Sequence, residues 1–399
     1  METDSEENIM VTKNAMQARQ KELYEAIKKD KSNRLLMNMP MQPYEYEGVY
    51  YTLVNTRCEA GDLFTIDEEL IAAVGVSKKL QYTEHIIVPY ADVIERSLFE
   101  GIPNVKSFEA PIARVVAPYS FVNLKNLTKV DLPEVIYVGN SCFIALASLT
   151  VLNMPEVRYI KQYSFSKLGS LEKLDLPKLA CMEQDAIREC IELKECDFPS
   201  LQECHGGNFY MCTALVRLNL PDVVKLGDYS IMYCPCLEEI ILSNLREIGD
   251  YCFDGIAVNN AVFLKLEKIG SNCFIKCDKL ERLICPKVMV IGEQSLTELG
   301  VLEEIDFASL RTLGNQSIRR CRNLRKIYMP NLVAVGYGCF YDLAVLTDLQ
   351  LPNVETIDAN TIAECENLSR LYAPKLVSLK NSNLYNCPRL KEIIWSGNK

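Results

Sequence analysis

The sequence predicts an α/β repeat solenoid of about 14 coils, and three observations support this fold class. Residues five and ten positions after a recurrent proline are large and apolar, the tenth often being phenylalanine. Self-similarity at a fixed period indicates stacked units that bury a common core, because no single unit can bury its own apolar face. The first prolines of the series, each 22 residues apart, are Pro89, Pro111, Pro133, Pro155, Pro177, Pro199 and Pro221.

The repeat continues to the end of the chain with one irregular unit. A single step of 21 residues separates Ser243 from Leu264, and Asn259 stands there where other units have leucine. We expect a local distortion in this unit. The later positions equivalent to the prolines are Ser243, Leu264, Pro286, Ala308, Pro330, Pro352, Pro374 and Ser396.

A short strand is predicted before each proline. Leu174 and Leu176 alternate with Lys173 and Asp175, so the leucines face the core and the charged residues face outward. Pro177 ends the strand because it has no N–H to donate to a ladder. Stacked coils therefore place these strands side by side in a parallel sheet.

A corner and a second wall are predicted after the strand. Glycine in the sixth position after the proline indicates positive φ or close approach of two backbones. The three-residue apolar spacing of Ser141 to Leu149 predicts a short helix or 3-10 turn on the opposite wall. The glycines concerned are Gly139, Gly227, Gly249, Gly270, Gly292, Gly314 and Gly336.

One full unit, from Leu132 to Leu149, reads L-P-x-V-x-x-V-G-x-x-x-F-x-x-L-x-x-L, and others have cysteine before the last leucine. This pattern resembles the BspA-like leucine-rich repeat family over about residues 86 to 396. The resemblance implies a right-handed, curved superhelix with a parallel β-sheet face that binds other macromolecules, often at cell surfaces. The segment from Tyr50 to Leu53 is similar to the cap that often precedes such repeats.

Three regions are predicted along the chain. Residues 1–14 form an acidic mobile tail, residues 15–80 a cap of one helix and one hairpin, and residues 81–399 the solenoid. Within the cap, the periodicity of Asn14 to Lys31 favours the helix, and the alternation around Gly48 favours the hairpin.

Composition excludes several classes of protein. A net charge of -10 and a pI near 5.1 disfavour nucleic-acid binding. No apolar run is long enough to insert in a membrane, and Met1 to Met10 is acidic where a signal peptide would be basic and then apolar. The 17 cysteines are odd in number and favour reduced thiols in the cytoplasm. The alternative is a cell-surface or secreted protein whose leader is missing from the sequence.

The cysteines raise the question of a metal or redox site. Stacked coils place Cys190, Cys212 and Cys234 close enough for a bridge or a soft metal. Leucine or isoleucine replaces cysteine at this position in other units, which favours buried free thiols, so no metal and no cofactor is predicted. Cys204 and His205 are adjacent but occupy an inward position and a corner, and the chain has only two histidines, so an enzyme is not predicted.

The outward row of the sheet, two residues before each proline, carries the functional prediction. We expect a non-catalytic interaction scaffold that binds a basic protein partner there, with apolar anchors in the middle and acidic residues that orient the partner. The alternatives are an adhesin and a self-assembling structural protein. The predicted binding residues are Ile241, Val262, Ile284, Tyr328, Tyr372, Asp131, Asp175 and Asp197.

Overall fold

The computed structural model describes residues 43–46, 49–53, 84–87, 93–94, 104–380 and 383–398. It is a parallel β-solenoid of about 13 turns with about 22 residues per turn, which confirms the predicted solenoid. Each coil passes through three walls, named here face A, face B and face C in chain order. The helix predicted from Asn14 to Lys31 lies outside the described residues, and the region boundaries stay a prediction.

Face A consists of the strands that precede the prolines. A hairpin of Pro43–Tyr46 and Val49–Leu53 pairs antiparallel, and its second strand joins the first coil in parallel, as the sequence around Gly48 predicted. The strands of face A are His85–Ile87, Ser107–Glu109, Lys129–Asp131, Val151–Asn153, Lys173–Asp175, Glu195–Asp197, Arg217–Asn219, Glu239–Ile241, Asn260–Val262, Arg282–Ile284, Glu304–Asp306, Lys326–Tyr328, Asp348–Gln350, Arg370–Ala373 and Glu392–Trp395.

Face B is one continuous sheet of 12 two-residue strands, whereas face C has two separate groups. The strands of face B are Val93–Ile94, Val115–Val116, Tyr137–Val138, Tyr159–Ile160, Cys181–Met182, Glu203–Cys204, Lys225–Leu226, Glu247–Ile248, Lys268–Ile269, Val290–Ile291, Thr312–Leu313 and Ala334–Val335. Those of face C are Phe121–Val122, Phe143–Ile144, Phe165–Ser166 and Ile187–Arg188, then Leu296–Thr297, Ile318–Arg319, Phe340–Tyr341, Ile362–Ala363 and Leu384–Tyr385. A 3-10 turn, Ser396–Asn398, follows the final strand of face A.

Face C differs from the predicted helix or 3-10 turn, since residues 104–380 contain only strands and turns. Ser141 and Ala145, with φ of 57° and 56°, bracket the strand Phe143–Ile144 in the left-handed conformation. Two such corners fold 22 residues into three short walls. Because of these bends, apolar residues recur at three-residue intervals. This spacing is close to that of a helix, which is why the sequence predicted one.

The core is a column of stacked side chains. Phe143 is fully buried, and its ring lies nearly parallel to those of Phe121 and Phe165 at centroid distances of 4.8 and 5.3 Å. Trp395 packs against the same core beside Ala373. The phenylalanine positions predicted to form the core floor are therefore confirmed for the described coils.

The corner glycines are required for close approach and not for positive φ. None of the seven has a φ in the left-handed region, but a Cβ on Gly139 would lie 2.8 Å from the nitrogen of Pro118 in the preceding coil. Successive coils touch backbone to backbone at this corner, which leaves no space for a side chain.

A ladder of buried hydrogen-bond donors lies beside this corner. Ser317 Oγ donates to the carbonyl oxygens of Gly292 and Gly314 at 2.6 and 2.7 Å. In the next coil the thiol of Cys339 donates to Gly314 O at 2.9 Å from the same position. This slot therefore selects a small donor, so that hydroxyl and thiol groups interchange in it.

Face A is divided into four sheets by breaks after Val151–Asn153, Glu239–Ile241 and Lys326–Tyr328. The inward residues of these edge strands, Leu152, Ile240 and Ile327, are only partly buried, as is Ile393 in the last strand, whereas the other described inward residues of face A are buried. Two of the breaks fall in coils of ordinary length, and nothing in the structure explains their position. The three breaks lie four coils apart.

The irregular coil is locally distorted, as predicted, because its residues shift by one position relative to the repeat. Val258, 3% exposed, fills the core position that leucine takes in other coils, and Asn259 is exposed. The missing residue thus falls between Ile256 and the strand Asn260–Val262, so that the core stays filled. Asn259 O accepts the N–H groups of Glu281 and Arg282, which keeps this coil connected to the next.

Candidate interaction surface

Three of the predicted binding residues lie in one sheet of face A. Val262 is opposite Ile284, Ile284 is opposite Asp306, and Asp306 is opposite Tyr328. Val262 and Tyr328 are 52% and 56% exposed, and Ile284 is partly buried between them. We call Val262, Ile284, Asp306 and Tyr328 the central row.

The other two predicted anchors belong to neighbouring sheets. Ile241 is at the edge of the preceding sheet, opposite Asn219. Tyr372 lies in the following sheet, with the guanidinium of Arg370 5.7 Å from the centre of its ring. The breaks in face A therefore separate both residues from the central row.

The predicted acidic residues are partly neutralised by their neighbours. Asp131 accepts a hydrogen bond from the amide of Asn153 at 2.8 Å, and Asp197 accepts one from Asn219 at 2.7 Å. The ammonium of Lys173 lies 3.7 Å from the carboxylate of Asp175. These exposed contacts are individually weak, so the carboxylates keep hydrogen-bonding capacity for a partner.

Two pairs of partly or fully exposed tyrosines, which the sequence reasoning missed, lie on the side of face C. The rings of Tyr229 and Tyr251 stack at 4.9 Å, and those of Tyr210 and Tyr233 meet edge to face at 5.9 Å. Met211 is exposed beside them in sequence. We call these five residues the tyrosine cluster. Its sequence signal is the recurrence of tyrosine at corner positions in consecutive coils.

The backbone of the tyrosine cluster is unusual. The coils from residue 208 to 275 have no face C strand, and Phe209 and Phe253 adopt φ of 63° and 61°. Asp254 in this segment is 8% exposed, and its Oδ1 has no hydrogen-bond partner. Burial raises the pKa of this carboxyl group. A buried acid with an unpaired oxygen beside aromatic residues occurs both in ligand sites and at strained structural positions.

A groove of about 310 Å³ also opens on face C toward the carboxyl-terminal end of the solenoid. Arg319 Nη1 donates to Gln316 Oε1 at 3.1 Å, and its guanidinium lies 4.9 Å from the ring centre of Tyr341. Arg188, at the equivalent position, instead pairs with two carboxylates. The groove is lined by Gln316, Arg319, Tyr337, Gly338, Tyr341, Asn360, Ala363 and Tyr385.

The described cysteines are free thiols, and most are buried. Cys234 Sγ donates to Phe209 O at 3.0 Å, and Cys190 Sγ donates to Phe165 O at 3.3 Å, so these thiols connect successive coils. Cys204 is 4% exposed and burial raises its pKa to about 12, whereas the adjacent His205 is exposed. These two side chains therefore do not form a nucleophile and base pair.

The fold and its coil length define a parallel solenoid of the leucine-rich repeat class. The family described as the BspA type leucine rich repeat region matches residues 92–215, 159–281, 204–325 and 289–398. The chain belongs to this family, as the unit from Leu132 to Leu149 predicted. Proteins of this repeat class serve in general as non-enzymatic scaffolds for interaction with other proteins.

One solved structure of a similar protein shows the same fold. A leucine-rich repeat protein from Bacteroides ovatus is 18% identical, with a TM-score of 0.65 over 89% of this chain and 94% of that chain. A leucine rich cell surface protein from Faecalibacterium prausnitzii is also 18% identical, with a TM-score of 0.36 over 79% of this chain and 89% of that one. No curated protein matches the chain.

Among the described residues, no helix has the length and apolar character needed to span a bilayer.

Proposed function

We propose that this protein is a non-catalytic scaffold that binds a protein partner on face A, centred on the central row. The carrying observation is that Val262 and Tyr328, both more than half exposed, lie in one hydrogen-bonded sheet with Ile284 and Asp306 between them. Exposed apolar and aromatic residues on a regular polar face are typical of partner sites, and tyrosine is enriched in their energetic centres.

The surroundings of the central row support a protein ligand. Arg282, Glu304 and Lys326 alternate in charge along the first outward position of the same strands. An apolar centre with mixed charges around it has the anatomy of a protein interface. The acidic residues Asp175 and Asp197 lie on the preceding sheet and orient a basic segment of the partner.

The proposal is tested by substitution on one face at a time. A partner is first isolated from the native cell by affinity purification, identified by mass spectrometry and purified, and its Kd is then measured. We expect Val262→Lys with Tyr328→Lys to weaken binding by about 100- to 1000-fold, because each anchor contributes on the order of 2 kcal/mol.

Matched controls distinguish this surface from others. Val290→Lys with Val333→Lys adds the same charges to similarly exposed residues of another wall and should leave the Kd unchanged. Tyr229→Asn with Tyr233→Asn removes two rings of the tyrosine cluster while tolerating left-handed backbone. If only this third variant loses the partner, the site is the tyrosine cluster and the proposal for face A fails.

The predicted cytoplasmic location, the basic character of the partner and the exclusion of nucleic acid stay predictions. So do the alternatives of a surface adhesin and of self-assembly. A complex that forms only between copies of this chain, measured by light scattering at several concentrations, would favour self-assembly over a separate partner.

A further inference from the structure

Three side chains of types that bind metal ions lie close together on face B. The central row lies on a different wall, face A. The strands Cys181–Met182 and Glu203–Cys204 pair in parallel and place Cys181 opposite Glu203. His205 follows directly. Met182 and Cys204 point into the core, so the alternating residues on either side of them project outward.

The distances among these groups are short. Cys181 Sγ donates a hydrogen bond to Glu203 Oε2 at 3.4 Å, and His205 Nε2 lies 3.9 Å from the same oxygen. One ligand atom from each residue lies within 4.8 Å of the other two. Among the residues that the structure describes, no other three His, Cys, Asp or Glu side chains bring their ligand atoms this close.

We propose that Cys181, Glu203 and His205 bind a divalent transition-metal ion, with Zn²⁺ the best match. Sulfur, imidazole nitrogen and carboxylate oxygen are the three protein ligands that zinc prefers. In a tetrahedral site with bonds of about 2.0 to 2.3 Å, ligand atoms lie about 3.5 Å apart. Rotation of these partly or fully exposed side chains moves their ligand atoms by the roughly 1 Å needed to reach this separation. Water supplies the fourth ligand.

The charged groups next to the trio include an ion pair. Glu183 follows Met182 directly in the chain, and its carboxylate is paired with Lys161. Binding of Zn²⁺ would displace the proton of the Cys181 thiol, and the ion would neutralise the resulting thiolate together with the Glu203 carboxylate.

The test is a titration of the reduced full-length protein with Co²⁺ alone, followed by displacement with Zn²⁺. Cobalt reports a thiolate ligand by an intense near-ultraviolet charge-transfer band. We expect one equivalent of Co²⁺ to bind, the band to vanish in Cys181→Ser, and Zn²⁺ to abolish it. His205→Gln should weaken Co²⁺ binding by at least roughly 10-fold. Loss of an outer-shell partner of a metal site already costs this much, and His205 is a direct ligand.

The control variant is Cys236→Ser, which removes an exposed thiol outside the trio and should keep the band. All variants should fold, since the trio is not part of the buried core, and circular dichroism checks this. No band in the unmodified protein, or a band that is unchanged in Cys181→Ser or His205→Gln, would overturn the proposal. Neither result bears on partner binding by face A.

Discussion

Gly314 lies against Gly292 of the preceding coil so closely that a Cβ on Gly314 would be 2.6 Å from the Gly292 carbonyl carbon. The contact is between two backbones, and neither can move without shifting a whole coil. It explains why glycine recurs at this corner although the conformation there is open to other residues.

Gly314→Ala should therefore destabilise the protein by about 1–3 kcal/mol, because the added methyl group forces the coils apart. Gly300→Ala is the matched control, since a Cβ there meets nothing within 4 Å, and its effect should stay within about 0.5 kcal/mol. Urea unfolding followed by circular dichroism measures both. Equal effects of the two substitutions would contradict the close-approach explanation.

The donor ladder predicts a graded response at Ser317. Ser317→Ala removes the bonds to Gly292 O and Gly314 O and should cost about 1 kcal/mol, because both carbonyls keep a second donor from Ser295 or Cys339. Ser317→Cys should lose less, since thiols already fill this slot elsewhere. If the cysteine variant were as unstable as the alanine variant, the slot would be selecting for size and not for a donor.

The buried acid predicts a pH-dependent difference between variants. Burial raises the pKa of Asp254 in the folded state, so folding opposes ionisation of this carboxyl group. The resulting loss of stability is absent below the unfolded pKa of about 3.9 and fully present above the folded pKa. Asp254→Asn should thus be more stable than the unmodified protein at pH 7, with the advantage shrinking as pH falls.

Asp278→Asn is the control for this comparison, because Asp278 is exposed in the next coil. It should show no such gain at pH 7. Thermal unfolding of the three proteins from pH 3.5 to 8 gives the dependence, and a constant difference between Asp254→Asn and the unmodified protein would exclude the buried charge as its cause.

Thiol reactivity should differ between the two kinds of cysteine environment. A hydrogen bond from Cys365 lowers the pKa of Cys387 below that of an ordinary thiol, whereas burial raises that of Cys321 to about 12. Iodoacetamide at pH 7.5 should label Cys387 rapidly and Cys321 only after unfolding, as read by peptide mass spectrometry.

Cys365→Ala should slow labelling of Cys387 because it removes the donor that stabilises the thiolate. Labelling of Cys236, an exposed thiol elsewhere, should not change. An unaltered rate at Cys387 would mean that exposure alone governs its reactivity.

The period of the repeat was enough to predict the solenoid, the inward phenylalanines and the strand before each proline, because core packing repeats identically in every coil. Phe143 and Leu174 illustrate this. The third wall was predicted as helical because left-handed corners and helices both give apolar residues three apart. The corner at Ser141 shows that the left-handed conformation is adopted without glycine, so composition did not reveal it.

The candidate surfaces were less predictable, since they depend on how coils stack. Val262, Ile284 and Tyr328 could be aligned by counting residues from the prolines. The separation of Ile241 from Val262 could not, because the break in hydrogen bonding has no counterpart in the repeat pattern. Tyr229 and Tyr251 were missed because they lie two residues after the glycine corner, at a left-handed position that the repeat pattern did not single out.

The three breaks in face A give the solenoid uneven mechanical properties. Face B is a continuous ladder from Val93 to Val335, while face A changes sheet after Asn153, Ile241 and Tyr328. Under tension, or against a partner of different curvature, the coils should open on the face A side at the first two of these places and pivot about face B, whose ladder ends before the third. The protein would then behave as consecutive blocks of coils joined along one edge, able to adjust its bend to the object that it holds.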